Sequence, residues 1–256
     1  MNLFVIMKRT FDTEEKIIIE DGHISDDDAQ FIINPYDEYA IEEAIQLREA
    51  HGGEVTVVTI GDEDAEKELR TALAMGCDKA VLIENEDVDD YDQTSTSEIL
   101  KAYFKDKDYD LILGGNVSND QGSGQIGPRL AENLGIAHVS TIVNLETDGQ
   151  TATVERDVEG DAEIIEVDLP LVLTAQQGLN EPRYPSLPGI MKAKKKPLEN
   201  LELDDLDLDE DDVEGKTKTI EVFLPPEKTA GRVLEGEVED QAKELVQLLR
   251  TEAKVI

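Results

Sequence analysis

Tryptophan is absent from these 256 residues, cysteine occurs once and aromatic residues make up 4%. Cys77 has no partner for an internal disulfide, and the scattered His23, His51 and His138 supply no Cys/His set with the spacing of a metal site. Positive charge is equally scarce: 24 Lys and Arg stand against 60 Asp and Glu, for a formal net charge of -36. Such a balance excludes nucleic acid as a partner, because a phosphate backbone is gripped by cations. No apolar run approaches the roughly 20 residues of a membrane span, and no basic leader precedes the first apolar run at residues 3–7. The expectation is a soluble, unprocessed protein of the reducing cytoplasm, with no direct insertion into a membrane.

An excess of acid this large repels itself unless salt screens it. A negative surface meant for one basic partner would concentrate its carboxylates. Here they spread over nearly every face expected to be exposed, which fits adaptation to salty surroundings better. Hydrophobic residues still make up 39% of the chain, enough for a sizeable core.

Short, continuous apolar runs at residues 3–7, 55–60, 80–83 and 111–113 read as strands buried on both faces. Between them, helical periodicity runs over residues 36–51, 62–75 and 95–105, the last opened by a capping-box spacing from Ser95 to Glu98, and resumes over 123–133. This alternation predicts βαβ crossovers, hence an α/β fold with a parallel sheet and helices on both faces. Residues 16–20 and 30–34, linked through Asp21-Gly22, read as a hairpin-like excursion before the first helix.

From residue 139 the pattern becomes β-rich, with strands expected at 141–145, 152–156, 164–167 and 171–175. Beyond Pro197 an acidic run over residues 199–214, interleaved with leucines, has the composition of a disordered segment. One more strand is expected at 217–224 and an amphipathic helix at 241–249. The boundary expected is therefore an α/β domain over residues 1–197 and an acidic linker with a C-terminal arm over 198–256.

Two stretches carry chemistry. The loop over residues 114–125, GGNVSNDQGSGQ, leaves a strand and enters a helix, so backbone N–H groups and the helix dipole can meet a phosphate there. It is neither a dinucleotide fingerprint nor a Walker loop, since no GK[ST] follows. The stretch over 178–197, GLNEPRYPSLPGIMKAKKKP, joins four prolines to an apolar group and the densest positive charge in the chain. Its prolines predict a stiff irregular loop over residues 180–189, neither helix nor strand, that presents Leu187 to solvent.

That second stretch resembles the signature of the electron transfer flavoprotein β subunit. The resemblance extends through VIMKRTFD, INPYDEYAIEEA (33–44), RTALAMG (70–76), DLILGG (110–115) and PPEKTAG (225–231). It implies a Rossmann-like sheet of the adenine nucleotide α-hydrolase type, an α-subunit partner sharing FAD with this chain, and a C-terminal arm wrapped around that partner. It also implies an adenine nucleotide at Ile6, Asn34, Ile60, Gly115, Asp120, Gln121, Gly122, Ser123, Gly124 and Gln125: AMP in simple carriers, a second FAD in bifurcating members. Gly122 and Asn116 stand where family members commonly carry an acid and an arginine, which leaves the nucleotide's identity open.

The resemblance further implies docking of partner dehydrogenases at Tyr184, Leu187, Pro188, Ile190, Met191, Lys192 and Lys195, and places Arg156 and Asp157 near the interface flavin. Lys194 and Lys196 join the same positive run. The function implied is that of an electron carrier subunit with no catalytic side chain of its own, taking electrons from acyl-CoA dehydrogenases and passing them to a membrane quinone oxidoreductase. A bifurcating subunit fed by NADH and a stand-alone adenine-nucleotide-binding regulator are the alternatives.

Overall fold

In the computed structural model, which describes residues 1–20, 22–26, 29–85, 91–226 and 231–256, the chain opens with β1 (Asn2–Ile6). Short strands β2 (Arg9–Phe11), β3 (Ile18–Glu20), β4 (His23–Ser25) and β5 (Phe31–Ile33) lead to helix α1 (Pro35–His51). Then come β6 (Glu54–Gly61), α2 (Glu66–Met75), β7 (Lys79–Glu84), α3 (Gln93–Phe104), β8 (Leu111–Gly115) and α4 (Ile126–Leu134). The β-rich part is β9 (Ala137–Thr147), β10 (Thr151–Val158), β11 (Asp161–Asp168) and β12 (Leu171–Ala175), followed by α5 (Leu187–Ala193), β13 (Leu198–Leu201) and α6 (Val238–Leu248).

Nine strands form one sheet in the order β11-β10-β9-β12-β8-β1-β6-β7-β13, parallel from β9 through β13 and antiparallel only in β9-β10-β11. Strand geometry sends successive side chains to opposite faces. Leu3, Val5, Leu111, Leu113, Leu171 and Leu173 accordingly join α1 and α2 in one core, whereas Ile112 and Val172 join α3 and α4 in the other. Phe4, on the second face, meets Phe104 edge-on at 5.2 Å between ring centroids. Each fully buried Leu or Ile contributes about 1.5–3 kcal/mol. The expected α/β class with helices on both faces is what forms.

Several local expectations differ from what folds. The excursion before α1 is two nested antiparallel ladders, β2 with β5 and β3 with β4, instead of one hairpin between residues 16–20 and 30–34; Asp21 of its expected turn lies outside the described residues. Helix α3 begins at Gln93 because Asp92, not Ser95, is its N-cap, accepting from Thr94 and Ser95 N–H. A helix, α5, starts at Leu187 within the proline-rich stretch. Ser186 caps it, and Pro188 falls in its first turn, where a missing N–H costs nothing.

The acidic run also folds. Strand β13 pairs with β7, single 3₁₀ turns form at Leu203–Leu206 and Glu210–Asp212, and Leu201, Leu203, Leu206, Leu208 and Val213 pack on the α3/α4 core. These apolar residues bury on a ready-made face, which offsets the ordering entropy that the acidic composition could not. The first compact unit consequently runs from Met1 to Glu221, past the boundary expected after Pro197, and the second comprises Val222–Ile256. Residues 217–224 carry no strand. The PPEKTAG match falls partly on residues 227–230, and the loop expected before α3 partly on 86–90, both outside the described residues.

Candidate functional site

Parallel connections part company between β1 and β8: the chain goes from β1 toward β6 and β7 on one side, and β8 lies on the other. Loops leaving strand ends at such a switch point diverge and leave a crevice. A cleft of about 220 Å³ opens there. Of the residues expected at the nucleotide, Ile6, Asn34, Ile60, Gly115, Gln121, Ser123, Gly124 and Gln125 line it together, while Asp120 and Gly122 lie outside its lining.

Asn34, 1% exposed, holds the 116–125 loop from beneath: its Oδ1 accepts the Asn119 N–H at 3.0 Å, and its Nδ2 donates to the Val117 carbonyl at 2.9 Å. Gly122 (φ 61) and Gly124 (φ 62) turn the loop through left-handed conformations that other residues resist. Gly115 has a different reason to be glycine, because a Cβ there would drive into Asp37 Oδ1 and Tyr36 Cβ at the start of α1. The loop then enters α4, whose N-cap Gln125 makes no side-chain cap. Gln125 Oε1 instead accepts from Arg129 Nε and Nη2, at 3.0 and 2.9 Å.

Three residues lining the cleft escape sequence reasoning. Asp37 accepts the Lys8 N–H on one oxygen and the Gly115 N–H on the other, both at 2.7 Å, so one carboxyl ties the loop after β1 to the end of β8. Burial pushes its pKa up to about 7 despite those hydrogen bonds. Lys8 lines the cleft and places its Nζ 2.6 Å from Asp120 Oδ2. Burial raises the Asp120 carboxyl, but hydrogen bonds from Lys8 and Ser118 outweigh it and hold the pKa below the usual range. Asp92, on another wall, accepts from Lys216 N, Thr217 N and Thr217 Oγ1, all at 2.9 Å. An acid two residues after Asn-Pro, and a D-x-x-S box at residues 92–95, were the signals available for Asp37 and Asp92; Lys8 lay within the VIMKRTFD match, with nothing in its local pattern to single it out.

The expected docking residues are exposed along α5 and the segment before it: Tyr184 is 93% exposed, Leu187 73%, Met191 68% and Ile190 44%. Pro188, Lys192, Lys194 and Lys195 are exposed beside them. Beneath, the segment is fastened at both ends. Arg183 clasps Glu42 and Glu49 of α1, and Asn180 Nδ2 donates to Tyr39 O and Glu43 Oε2. Arg70 of α2 donates to Ala193 O and Lys196 O, each at 3.0 Å. Lys196 turns away from the positive run: its Nζ donates to Leu73 O and Cys77 O at the end of α2, where cations are favoured, and burial lowers its pKa.

Arg156 and Asp157 lie on β10, away from the cleft lining; Arg156 pairs with Glu163 of β11 at 3.7 Å, and Asp157 is exposed. In the second unit, α6 has no buried residue, and Phe223, Val233 and Val238 are 73%, 85% and 80% exposed. Among the described residues no cluster of ligating side chains fits a metal ion, and no helix is long and apolar enough to cross a membrane.

The model of one family, described as "Electron transfer flavoprotein domain", matches residues 21–206. The chain is 71% identical over 257 positions to the electron transfer flavoprotein subunit beta of Bacillus subtilis, with 100% of both chains covered. It is 41% identical to the subunit of the same description from Syntrophomonas wolfei, covering 100% of this chain and 98% of that one. With the mitochondrial counterpart of Arabidopsis thaliana it shares 34% identity, again with 100% of both covered.

Proposed function

The chain belongs to the electron transfer flavoprotein family as a β subunit, and from that membership we propose that it serves a simple, non-bifurcating carrier. The family makes it an electron carrier subunit with an α-subunit partner and a flavin. In the reading proposed here, the two subunits hold FAD at their interface and this chain keeps AMP as a structural nucleotide. Electrons come from acyl-CoA dehydrogenases and go to a membrane quinone oxidoreductase, all from the cytoplasm.

Docking rests on the exposed Leu187, Ile190 and Met191, carried on a helix fastened to α1 and α2 at both ends. A protruding apolar anchor on a preorganised support loses little entropy on contact, and methionine adapts to different partner surfaces. That observation carries the carrier role. The flavin supplies the electron chemistry, and this chain supplies docking and orientation; Arg156 and Asp157 are assigned to the flavin side of the interface by family position. The apolar side chains of the second unit, Phe223, Val233 and Val238 among them, suit an arm that closes on the α subunit.

AMP is favoured for the switch-point cleft by its size, about 220 Å³. Pockets that enclose drug-sized ligands run roughly 300–1,000 Å³, and a cleft below that range suits the smaller nucleotide better than FAD. The glycine-turned loop and the first N–H groups of α4 offer donors for a phosphate, and Ile6 and Ile60 offer apolar surface for a base. The test is to purify the chain with its α subunit, denature the complex, and measure released FAD and AMP by chromatography. One of each per heterodimer is expected. Two FAD and no AMP would replace this reading with the bifurcating one.

A further inference from the structure

We propose that Lys8 determines the ligand specificity of the switch-point cleft, exchanging its ion pair with Asp120 for the phosphate of the nucleotide, so that the site selects nucleotide over nucleoside. The inference rests on the adenine-nucleotide reading and adds the residue that enforces its phosphate. Among the described residues lining the cleft, Lys8 is the one cation; Asp37 and Asp92 are its charged companions there. Both carboxylates are already taken up by donors, Asp37 by two backbone N–H groups and Asp92 by Thr94, Ser95, Lys216 and Thr217. They have no lone demand for the Lys8 ammonium.

A dianionic ligand entering a chain of net charge -36 needs local positive charge to offset that field. The nearby guanidinium of Arg129 is held by Gln125 Oε1. Lys8 is differently placed: its backbone is fixed, with its N–H on Asp37, while its flexible stem ends on Asp120 at 2.6 Å in the loop that also contributes Ser123 and Gly124 to the cleft. The pair is partly open to solvent, with side-chain exposures of 39% and 25%, and the Asp120 carboxylate keeps its hydrogen bond from Ser118 when the lysine leaves. An ammonium on a four-carbon stem moves between acceptors within one loop without moving backbone.

The experiment titrates AMP and adenosine separately into the full-length chain in complex with its α subunit, after dialysis to remove bound nucleotide, at one pH and one salt concentration. Lys8→Met is expected to weaken AMP roughly ten- to hundredfold, the range of a lost charge-assisted hydrogen bond, and to leave adenosine within about twofold. Asp120→Asn should raise the ratio of AMP to adenosine affinity by releasing Lys8. Lys8→Arg should keep that ratio, which guards against a folding defect in the methionine variant. An unchanged ratio in Lys8→Met, or equal losses for both ligands, overturns the proposal. A wild-type complex that binds neither ligand overturns the adenine-nucleotide reading along with it.

Discussion

Arg183 closes a two-pronged clasp on Glu42, with Nε 2.8 Å from Oε2 and Nη2 3.0 Å from Oε1, and reaches Glu49 with its remaining donors. Such fork-to-fork pairs fix orientation as well as energy. Glu42 is 3% exposed, so removing the guanidinium leaves a buried carboxylate with the Gln46 side chain and the residue-183 N–H as donors but no opposing charge. Arg183→Gln is expected to cost about 2–4 kcal/mol in urea unfolding. The same change should slow reduction by dehydrogenases, because the approach to α5 loses its fixed seat.

Leu187 stands at the other end of that segment, as the first residue of α5. Leu187→Ala should lower the rate of reduction by acyl-CoA dehydrogenases roughly tenfold, the scale of a modest interface anchor, with FAD content and heterodimer assembly unchanged. Loss of flavin from this variant would remove the docking role from the residue.

Gly189 sets how closely α5 approaches α2, since a Cβ there would run into the Ala74 carbonyl oxygen. That oxygen is backbone and cannot swing aside. Gly189→Ala is expected to destabilise by about 1–3 kcal/mol, read as a lower urea midpoint at unchanged slope. An unshifted midpoint would mean that the two helices separate freely.

Asp37 should leave a mark on the pH dependence of stability. Its folded pKa of about 7 exceeds that of an unfolded aspartate. Between the two values the folded chain keeps a proton that the unfolded chain has released, so this group's contribution falls as pH rises from about 4 to 7 and is level above. The free-energy difference between wild type and Asp37→Asn should change by up to about 1.4 kcal/mol per pH unit in that window. Lys8 and its partner Asp120 are the charged neighbours, and both are present in each protein. A difference that stays flat from pH 4 to 7 would contradict the burial argument.

For Asp92 the sign reverses. Burial alone would raise its pKa, but donors from Thr217, Thr94, Ser95 and Lys216 hold it at about 2. Its stabilisation is complete above the unfolded value and is lost as pH falls from about 4 toward 2. Asp92→Ala removes both the α3 cap and the anchor of Lys216 and Thr217, for an expected loss of about 2 kcal/mol at neutral pH. Faster amide exchange at Lys216 and Thr217 would accompany it.

The parallel core was legible because buried strands such as 111–113 read as unbroken apolar runs, and helices such as α1 announce themselves by periodicity and a closing glycine. What escaped depended on partners far away in the chain. Pro188 looks like a helix breaker until Ser186 is seen to cap α5. Lys196 looks like surface charge until the carbonyls of Leu73 and Cys77 come beneath it. The leucines at 201–208 look stranded among acids until the α3 face is there to receive them. In the cleft, the glycine-rich loop was visible locally and Asn34 through family resemblance. Lys8 and Asp37 join the site only because the sheet brings residues 8, 37 and 115 together.

Strand β13 covers the flank of β7, with Leu198 beside Ala80 and Leu201 beside Ile83. Those segments leave a ribosome far apart in time. At about 5–20 residues per second, the stretch between them takes on the order of ten seconds to synthesise. Until β13 is made, a folded β7 would present a bare edge of Ala80, Val81, Leu82 and Ile83, a template for pairing with other chains. The mature fold is thus least protected while it is still being made, and a chaperone that shields this edge would matter more to its yield than to its final stability.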